Sequence, residues 1–416
     1  MALTRMGRIG ESTARPVQEP APRPEPQKRT SPMWAGRATR LVLVAVAAMS
    51  LLLDRGAGIP LAWQLVPLAA SVIVLGLPHG ALDHLVDARL TGRPLRVTSL
   101  MAFCGRYLLL VGLVVALWHI APAVGLALFI ASTVFHWGQG DLHGLLTLDG
   151  GRHLRGRLAR VSALLLRGAL PMLVPLVAFP EAYARGAARL VALFELPTAG
   201  LEAALRFELP VPAALVLVSL AALHVFLIRP RAGEAGDERR SIARDGRRDL
   251  RDVALLAAFF AAVPPTLSIG LYFCLWHSAR HVARLMDLRS PEGEDSAGRS
   301  TPRVWRRFAV DAAPLTLAAL ALLIAQAALL PNRPDTVASW AAGYLVFIAA
   351  LTVPHTWVVT RLDLAQGVWR AAGSTRMPSA PLVMESTGRR PASPRLGGRL
   401  LDQALPWFVR LLAHGR

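Results

Sequence analysis

The stretch Gly76-Leu77-Pro78-His79-Gly80-Ala81-Leu82-Asp83-His84 closes a long apolar run that begins near Leu61. An apolar segment of bilayer length normally ends in bland polar residues. This one ends in two histidines and an aspartate, set among glycine and proline. Ionisable groups at membrane depth are costly, so where they occur they mark a functional site. Three further apolar segments end in the same manner: Phe135-His136-Trp137-Gly138-Gln139-Gly140-Asp141, Trp276-His277-Ser278-Ala279-Arg280-His281 and Pro354-His355-Thr356-Trp357. The pattern describes a membrane scaffold that brings four histidine-bearing helix ends together.

The rest of the chain agrees with that class. Of its 416 residues, 54% are hydrophobic, and they lie in runs of roughly 17–22, enough to cross the hydrocarbon core as helices. Helices satisfy their own backbone in lipid. The expected fold is therefore an all-α, polytopic integral membrane bundle of about 8–10 transmembrane helices. The runs lie near 40–53, 61–82, 101–119, 122–141, 161–179, 211–228, 252–285, 311–330 and 337–359. Residues 1–38, rich in Pro and Arg, read as a disordered tail. Residues 39–363 form the membrane domain that carries the site. Residues 364–416 read as a flexible tail whose end, 398–416, is an amphipathic interfacial helix. Segment 40–53 is followed by more spans and lacks a convincing cleavage site, so it reads as the first span rather than a signal sequence. The formal charge of +19 does not point to nucleic acid. The arginines sit in short blocks between apolar runs, as in loops retained on the cytoplasmic side. Cys104 and Cys274, both in apolar runs, make neither a disulfide framework nor a Cys-type metal site.

Orientation follows from the basic blocks at 89–96, 152–160, 229–251, 280–307 and 361–400, against nearly uncharged connections near 54–60, 119–122 and 331–336. An N-in start puts the first three blocks inside. A single crossing at 252–285 would then put 280–307 outside, against the rule. Pro264-Pro265 resolves this, because proline removes a backbone donor and breaks the helix. Two shorter helices, about 252–263 and 266–287, make a broken hairpin that returns to the cytoplasmic side. Both termini are then cytoplasmic, in a multi-pass protein of the cell (inner) membrane. The same topology places His79, His136, His281 and His355 near the inner ends of helices running outside to inside, at similar depth.

His277 and His281 are i and i+4 and share a helix face. His79 and His84, at i and i+5, do not. Asp83 is i+4 from His79, placed to orient a metal-bound imidazole or to pack helices. Gly138 and Gly140 in the second motif permit close backbone approach. His119, His153, His224 and His414 lack such surroundings and read as ordinary polar anchors. Neutral imidazoles without thiolates suit Fe(II), Zn(II) or Cu(II). A site within lipid, away from bulk water, favours redox or oxygen chemistry on an apolar substrate.

GLPHGALDH (76–84), FHWGQGD (135–141), WHSARH (276–281) and PHTWVVTRLD (354–363) resemble the motifs of the Brp/Blh family. These are membrane β-carotene 15,15'-dioxygenases of bacteria and archaea, related to the bacteriorhodopsin-related protein. The likeness covers roughly 40–363. It implies an oxidoreductase that uses Fe(2+) and O₂ to cleave β-carotene at its central double bond into two retinal molecules, with a functional link to a rhodopsin. It also implies the iron ligands: His79, His136, His277 and His281. Asp83, His84, Asp141 and His355 belong to the same motifs and are open to a supporting or alternate-ligand role. Trp118, Phe135, Trp137, Phe273, Trp276 and Trp357 are candidate walls of a substrate tunnel, each with helix packing as the plainer reading. Rival readings are a di-iron desaturase or hydroxylase, which needs an H-x-x-H-H box that is absent, a metal or proton transporter, and a non-catalytic carotenoid carrier.

Overall fold

The computed structural model describes residues 33–53, 59–92, 94–234, 236–289 and 301–370. The proposed N-terminal tail up to residue 32 and the C-terminal helix at 398–416 lie outside these residues. All regular structure among the described residues is helical. In chain order the helices are α1 (Met33–Leu52), α2 (Leu61–Ser71), α3 (Leu77–Ala81), α4 (Asp83–Thr91), α5 (Val97–Ile120), α6 (Pro122–Thr147), α7 (Arg157–Ala178), α8 (Pro180–Ala192), α9 (Ala199–Ala203), α10 (Pro210–Ile228), α11 (Gly236–Ala262), α12 (Pro265–Leu271), α13 (Ala279–Arg289), α14 (Thr301–Leu329) and α15 (Val337–Ala365). Three wide π turns join some of them: Val72–Gly76 between α2 and α3, Ala204–Glu208 before α10, and Tyr272–Ser278 between α12 and α13.

Six segments among the described residues are long and apolar enough to cross a membrane: Leu61–Thr91, Val97–Ile120, Arg157–Ala178, Pro210–Ile228, Trp305–Leu329 and Val337–Ala365. The chain is therefore a multi-pass membrane protein. Helix α6 has the length, but His136, Gln139 and Asp141 dilute its apolar character. Helix α7 is the buried centre, with 72% of its apolar window inside the protein, against 17% for α5, α10 and α14. Those three turn Leu109, Leu113, Val218, Phe226 and Ile324 outward, as a lipid-facing surface requires. Helices α6 and α7 cross closely through glycine. A Cβ on Gly168 would overlap the Val134 carbonyl, and one on Gly138 the Leu164 carbonyl. Close backbone approach through small residues is how helices associate in lipid, where hydrophobicity gives them no reason to do so.

The break at Pro264 is present. Its backbone is extended (φ −49°, ψ 143°) and Pro265 begins α12. Asp249 of α11 and Arg280 of α13 lie at one level, joined by Asp249–Arg167–Asp141–Arg280 contacts. A single straight crossing would hold residues 249 and 280 far apart, so α11 and α12–α13 form a hairpin.

Candidate metal centre

Five buried imidazoles converge from five places in the chain: His79 on α3, His136 on α6, His277 in the second hairpin arm's π turn, His281 on α13 and His355 on α15. Two π turns deliver three of them. π-Bulges recur at functional sites because the extra residue re-aims side chains. Val72–Gly76 immediately precedes His79, and Tyr272–Ser278 carries His277. The two turns touch at Gly76, where a Cβ would sit 2.7 Å from the Ser71 carbonyl oxygen and 2.9 Å from Phe273 Cε1. Only glycine lets these segments meet and bring His79 to within 5.9 Å of the His277 ring.

The His136 and His277 Nε2 atoms are 3.1 Å apart. Two nitrogens held at about 2.1 Å by one ion are separated by about 3.0–3.4 Å, so the spacing is that of a ligand pair. One ring nitrogen each from His79, His136 and His355 all lie within 4.8 Å of one another. The His281 ring is 5.3 Å from His79 and 5.2 Å from His355, and it stays on the His277 face, the two rings nearly parallel at 6.4 Å. His79 Nδ1 pairs with the Leu75 carbonyl at 3.0 Å. With Nδ1–H donating there, Nε2 keeps its lone pair for a metal.

The residues expected around the ligands divide. Asp83 does not reach His79: its carboxylate accepts from His355 Nδ1 at 2.8 Å and from the Tyr107 hydroxyl at 3.3 Å. His84 turns away, pairs with the Ala81 carbonyl and lines a separate small cleft with Asp87 and Arg106. Asp141 accepts from Trp276 Nε1 (2.9 Å), Arg280 (3.1 Å) and Arg167 (2.8 Å). It thereby holds Trp276, next to His277, and Arg280, one turn beyond it. Arg280 also lies over the Trp276 ring at 3.8 Å.

Three of the imidazoles, His79, His136 and His355, line an apolar cavity of about 390 Å³. Its walls come from α2, α3, α5, α6, α7, α8, α12, α14, α15 and two of the π turns. Leu108 of α5 and Leu322 of α14 both line it and are 47% and 41% exposed, so the cavity reaches the lipid-facing flank. Of the aromatic residues expected in the wall, Trp137 and Phe273 line it. Trp276 serves Asp141 instead. Trp118 stacks on Phe194, Phe135 packs with Leu142 and Leu164, and Trp357 lies under Arg361 at the surface. Tyr107, Phe129, Tyr183 and Ile269 complete the wall, none of them marked by a motif.

A buried charge network that the motifs did not single out supports the centre. Arg167, inside apolar α7, donates to Asp141 and to Asp249. Asp249 also pairs with His153 and His224 at 2.9 Å each. Burial alone would raise the Asp249 carboxyl, but the two histidines and the Arg167 charge outweigh it and hold the group below the ordinary carboxylate range. His153 and His224 are thus structural partners. An arginine within an apolar run was a legible signal of this. Arg284 similarly pairs with Asp363, which also accepts from Gln139.

Comparison with known proteins agrees with the motifs. The family described as Beta-carotene 15,15'-dioxygenase matches residues 70–363. The chain is 38% identical over 331 residues to the probable beta-carotene 15,15'-dioxygenase Blh of Halobacterium salinarum, covering 80% of this chain and 93% of that protein. It is 30% identical over 357 residues to the probable beta-carotene 15,15'-dioxygenase Brp of the same organism, covering 80% and 92%. A beta-carotene 15,15'-dioxygenase of an uncultured marine bacterium is 32% identical over 74 residues, 18% of this chain and 27% of that protein. No solved structure matches. All five clustered histidines fall within the matched segment, and the chain belongs to the beta-carotene 15,15'-dioxygenase family.

Proposed function

We propose that this chain cleaves β-carotene at its central double bond with O₂, releasing two molecules of retinal, at one iron(II) held by His79, His136, His277 and His281. The carrying observation is that His79 and His136, with His355 beside them, stand in the wall of an apolar cavity that reaches the lipid flank, and that His277 meets His136 directly behind it. The donor set fits the ion: neutral imidazoles suit iron(II), and the 3.1 Å His136–His277 spacing is that of two ligands of one ion.

Iron(II) would supply the means to activate O₂ and add it across the polyene. The protein does the rest. The cavity wall at Leu108 of α5 and Leu322 of α14, open to the lipid flank, admits the polyene sideways from the bilayer. Trp137 and Phe273, 6.3 Å apart between ring centroids, sit beside His277 and hold the chain of double bonds by apolar contact. The lining excludes water. The His79 Nδ1 contact with Leu75 fixes that ring's tautomer, and Asp141 fixes the Trp276–Arg280 frame around His277. The termini are cytoplasmic, the centre lies towards that face of the cell membrane, and retinal leaves for a rhodopsin.

Co-expression in cells that accumulate β-carotene, followed by pigment extraction, tests the reading. Orange colour should fade as retinal appears, in equal measure to bound iron across expression levels. Intact β-carotene beside folded, iron-loaded protein would overturn it.

A further inference from the structure

His355 stands in the middle of the histidine cluster, yet neither the H-x-x-x-H pair nor the GLPHGALDH motif contains it. Its ring is 4.6 Å from His136, 5.0 Å from His79 and 5.2 Å from His281. It is 4% exposed. Its two nitrogens are in different situations. Nδ1 faces the Asp83 carboxylate, at 2.8 Å from Oδ2 and 3.0 Å from Oδ1. Nε2 is buried and has no hydrogen-bond partner among the described residues.

A carboxylate accepts only, so Nδ1 carries the proton and donates it. Nε2 then presents a lone pair to the interior of the cluster. One ring nitrogen of His355 lies within 4.8 Å of one each from His79 and His136. Tyr107 completes the arrangement. Its hydroxyl bonds Asp83 Oδ2 at 3.3 Å and lies 3.4 Å from the Leu351 carbonyl, one turn before His355 on α15. A carboxylate behind a metal-bound imidazole fixes its tautomer and raises its basicity.

We infer that His355 is itself a ligand of the metal, that Asp83 is the carboxylate that sets it, and that Tyr107 positions Asp83. This rests on the iron reading above and extends it: the Asp83 end of the first motif acts across the bundle on α15, not on its own His79. Asp83 and Tyr107 are positioning residues, since neither touches the metal.

The test is metal titration of the full-length protein in detergent, stripped of metal and reloaded with Co(II) or Fe(II). Wild type should bind one Co(II) per chain. Its visible absorption reports the number and symmetry of the ligands. His355→Ala should weaken Co(II) binding at least as much as Asp83→Asn, which should cost about 10–100-fold, and should change the absorption spectrum. Asp83→Asn keeps the volume and serves where His355→Ala fails to fold. Tyr107→Phe should shift affinity in the same direction by less. If folded His355→Ala keeps the wild-type affinity and spectrum, His355 is no ligand, and wild-type affinity in Asp83→Asn overturns the role of the carboxylate. Wild-type protein that takes up neither Co(II) nor Fe(II) would instead remove the iron reading itself.

Discussion

Arg167→Met is the substitution that tests how the centre is held up. Arg167 is 1% exposed and donates to two carboxylates, Asp141 at 2.8 Å and Asp249 at 2.7 Å. Methionine keeps the linear bulk and removes the charge. Breaking a buried ion pair from one side costs about 3–5 kcal/mol, because a desolvated charge is left behind. Here each carboxylate keeps other donors: Asp141 has Trp276 and Arg280, and Asp249 has His153 and His224. The lower end, about 3 kcal/mol, is therefore expected, a loss of about 150-fold in the ratio of folded to unfolded protein. The assay is equilibrium unfolding in detergent micelles titrated with SDS, followed by tryptophan fluorescence. Arg167→Met with Asp249→Asn should recover part of the loss, because the second change neutralises an orphaned charge. The two costs would then be non-additive by more than about 1 kcal/mol. A single-variant cost under about 1 kcal/mol, or simple additivity of the pair, would refute the view that this network clamps the hairpin.

His79→Ala and His136→Ala should each lower bound iron to well below one per chain, measured by metal analysis of purified protein; full iron in both would exclude the proposed ligand set. Gly76→Val should abolish iron loading and lower stability, since its side chain would collide with the Ser71 carbonyl and Phe273; a stable, iron-loaded variant would show that the two π turns need not touch. Ala341→Phe places bulk in the cavity wall away from the histidines, so β-carotene turnover should fall with iron content unchanged, read by retinal yield against metal analysis. For orientation, cysteines introduced at Arg239 and Arg333 should label from opposite faces of the membrane, with Arg239 cytoplasmic; labelling from one face would break the assigned topology.

Much of this arrangement was legible in the chain because the physics acting on it is local. Bilayer-length apolar runs, arginine blocks and Pro264-Pro265 each act through their own neighbourhood, and the hairpin appears where they put it. The histidines were legible for the same reason, since an imidazole at the end of an apolar run is conspicuous. What could not be read was pairing across the bundle. Asp83 shares a helical face with His79 in an ideal helix, yet α3 ends at Ala81, Leu82 leaves the helical conformation, and α4 begins at Asp83. That interruption turns the carboxylate towards His355, 272 residues away. Likewise Trp276 stood among the candidate tunnel walls, with helix packing as the plainer reading. Its indole N–H needs a buried acceptor, and Asp141 of another helix provides one.

The π turns explain why the cluster needs so many helices to form. An α-helix sets side chains four apart on one face and offers two imidazoles to a site, as His277 and His281 do. Surrounding an ion also needs donors from other directions, and a straight neighbouring helix would present its nearest side chains in parallel with the first pair. The observed rings do otherwise. His79 stands at 83° to His277 and 73° to His281, and His136 at 76° to His277, while His277 and His281 differ by only 15°. Widening the backbone at Val72–Gly76 and Tyr272–Ser278 supplies that re-aiming without a loop, which lipid-exposed backbone could not tolerate. The residues that permit the widening, above all Gly76 in its contact with Phe273, are therefore as much a part of the histidine cluster as the imidazoles, although none of them carries a donor atom.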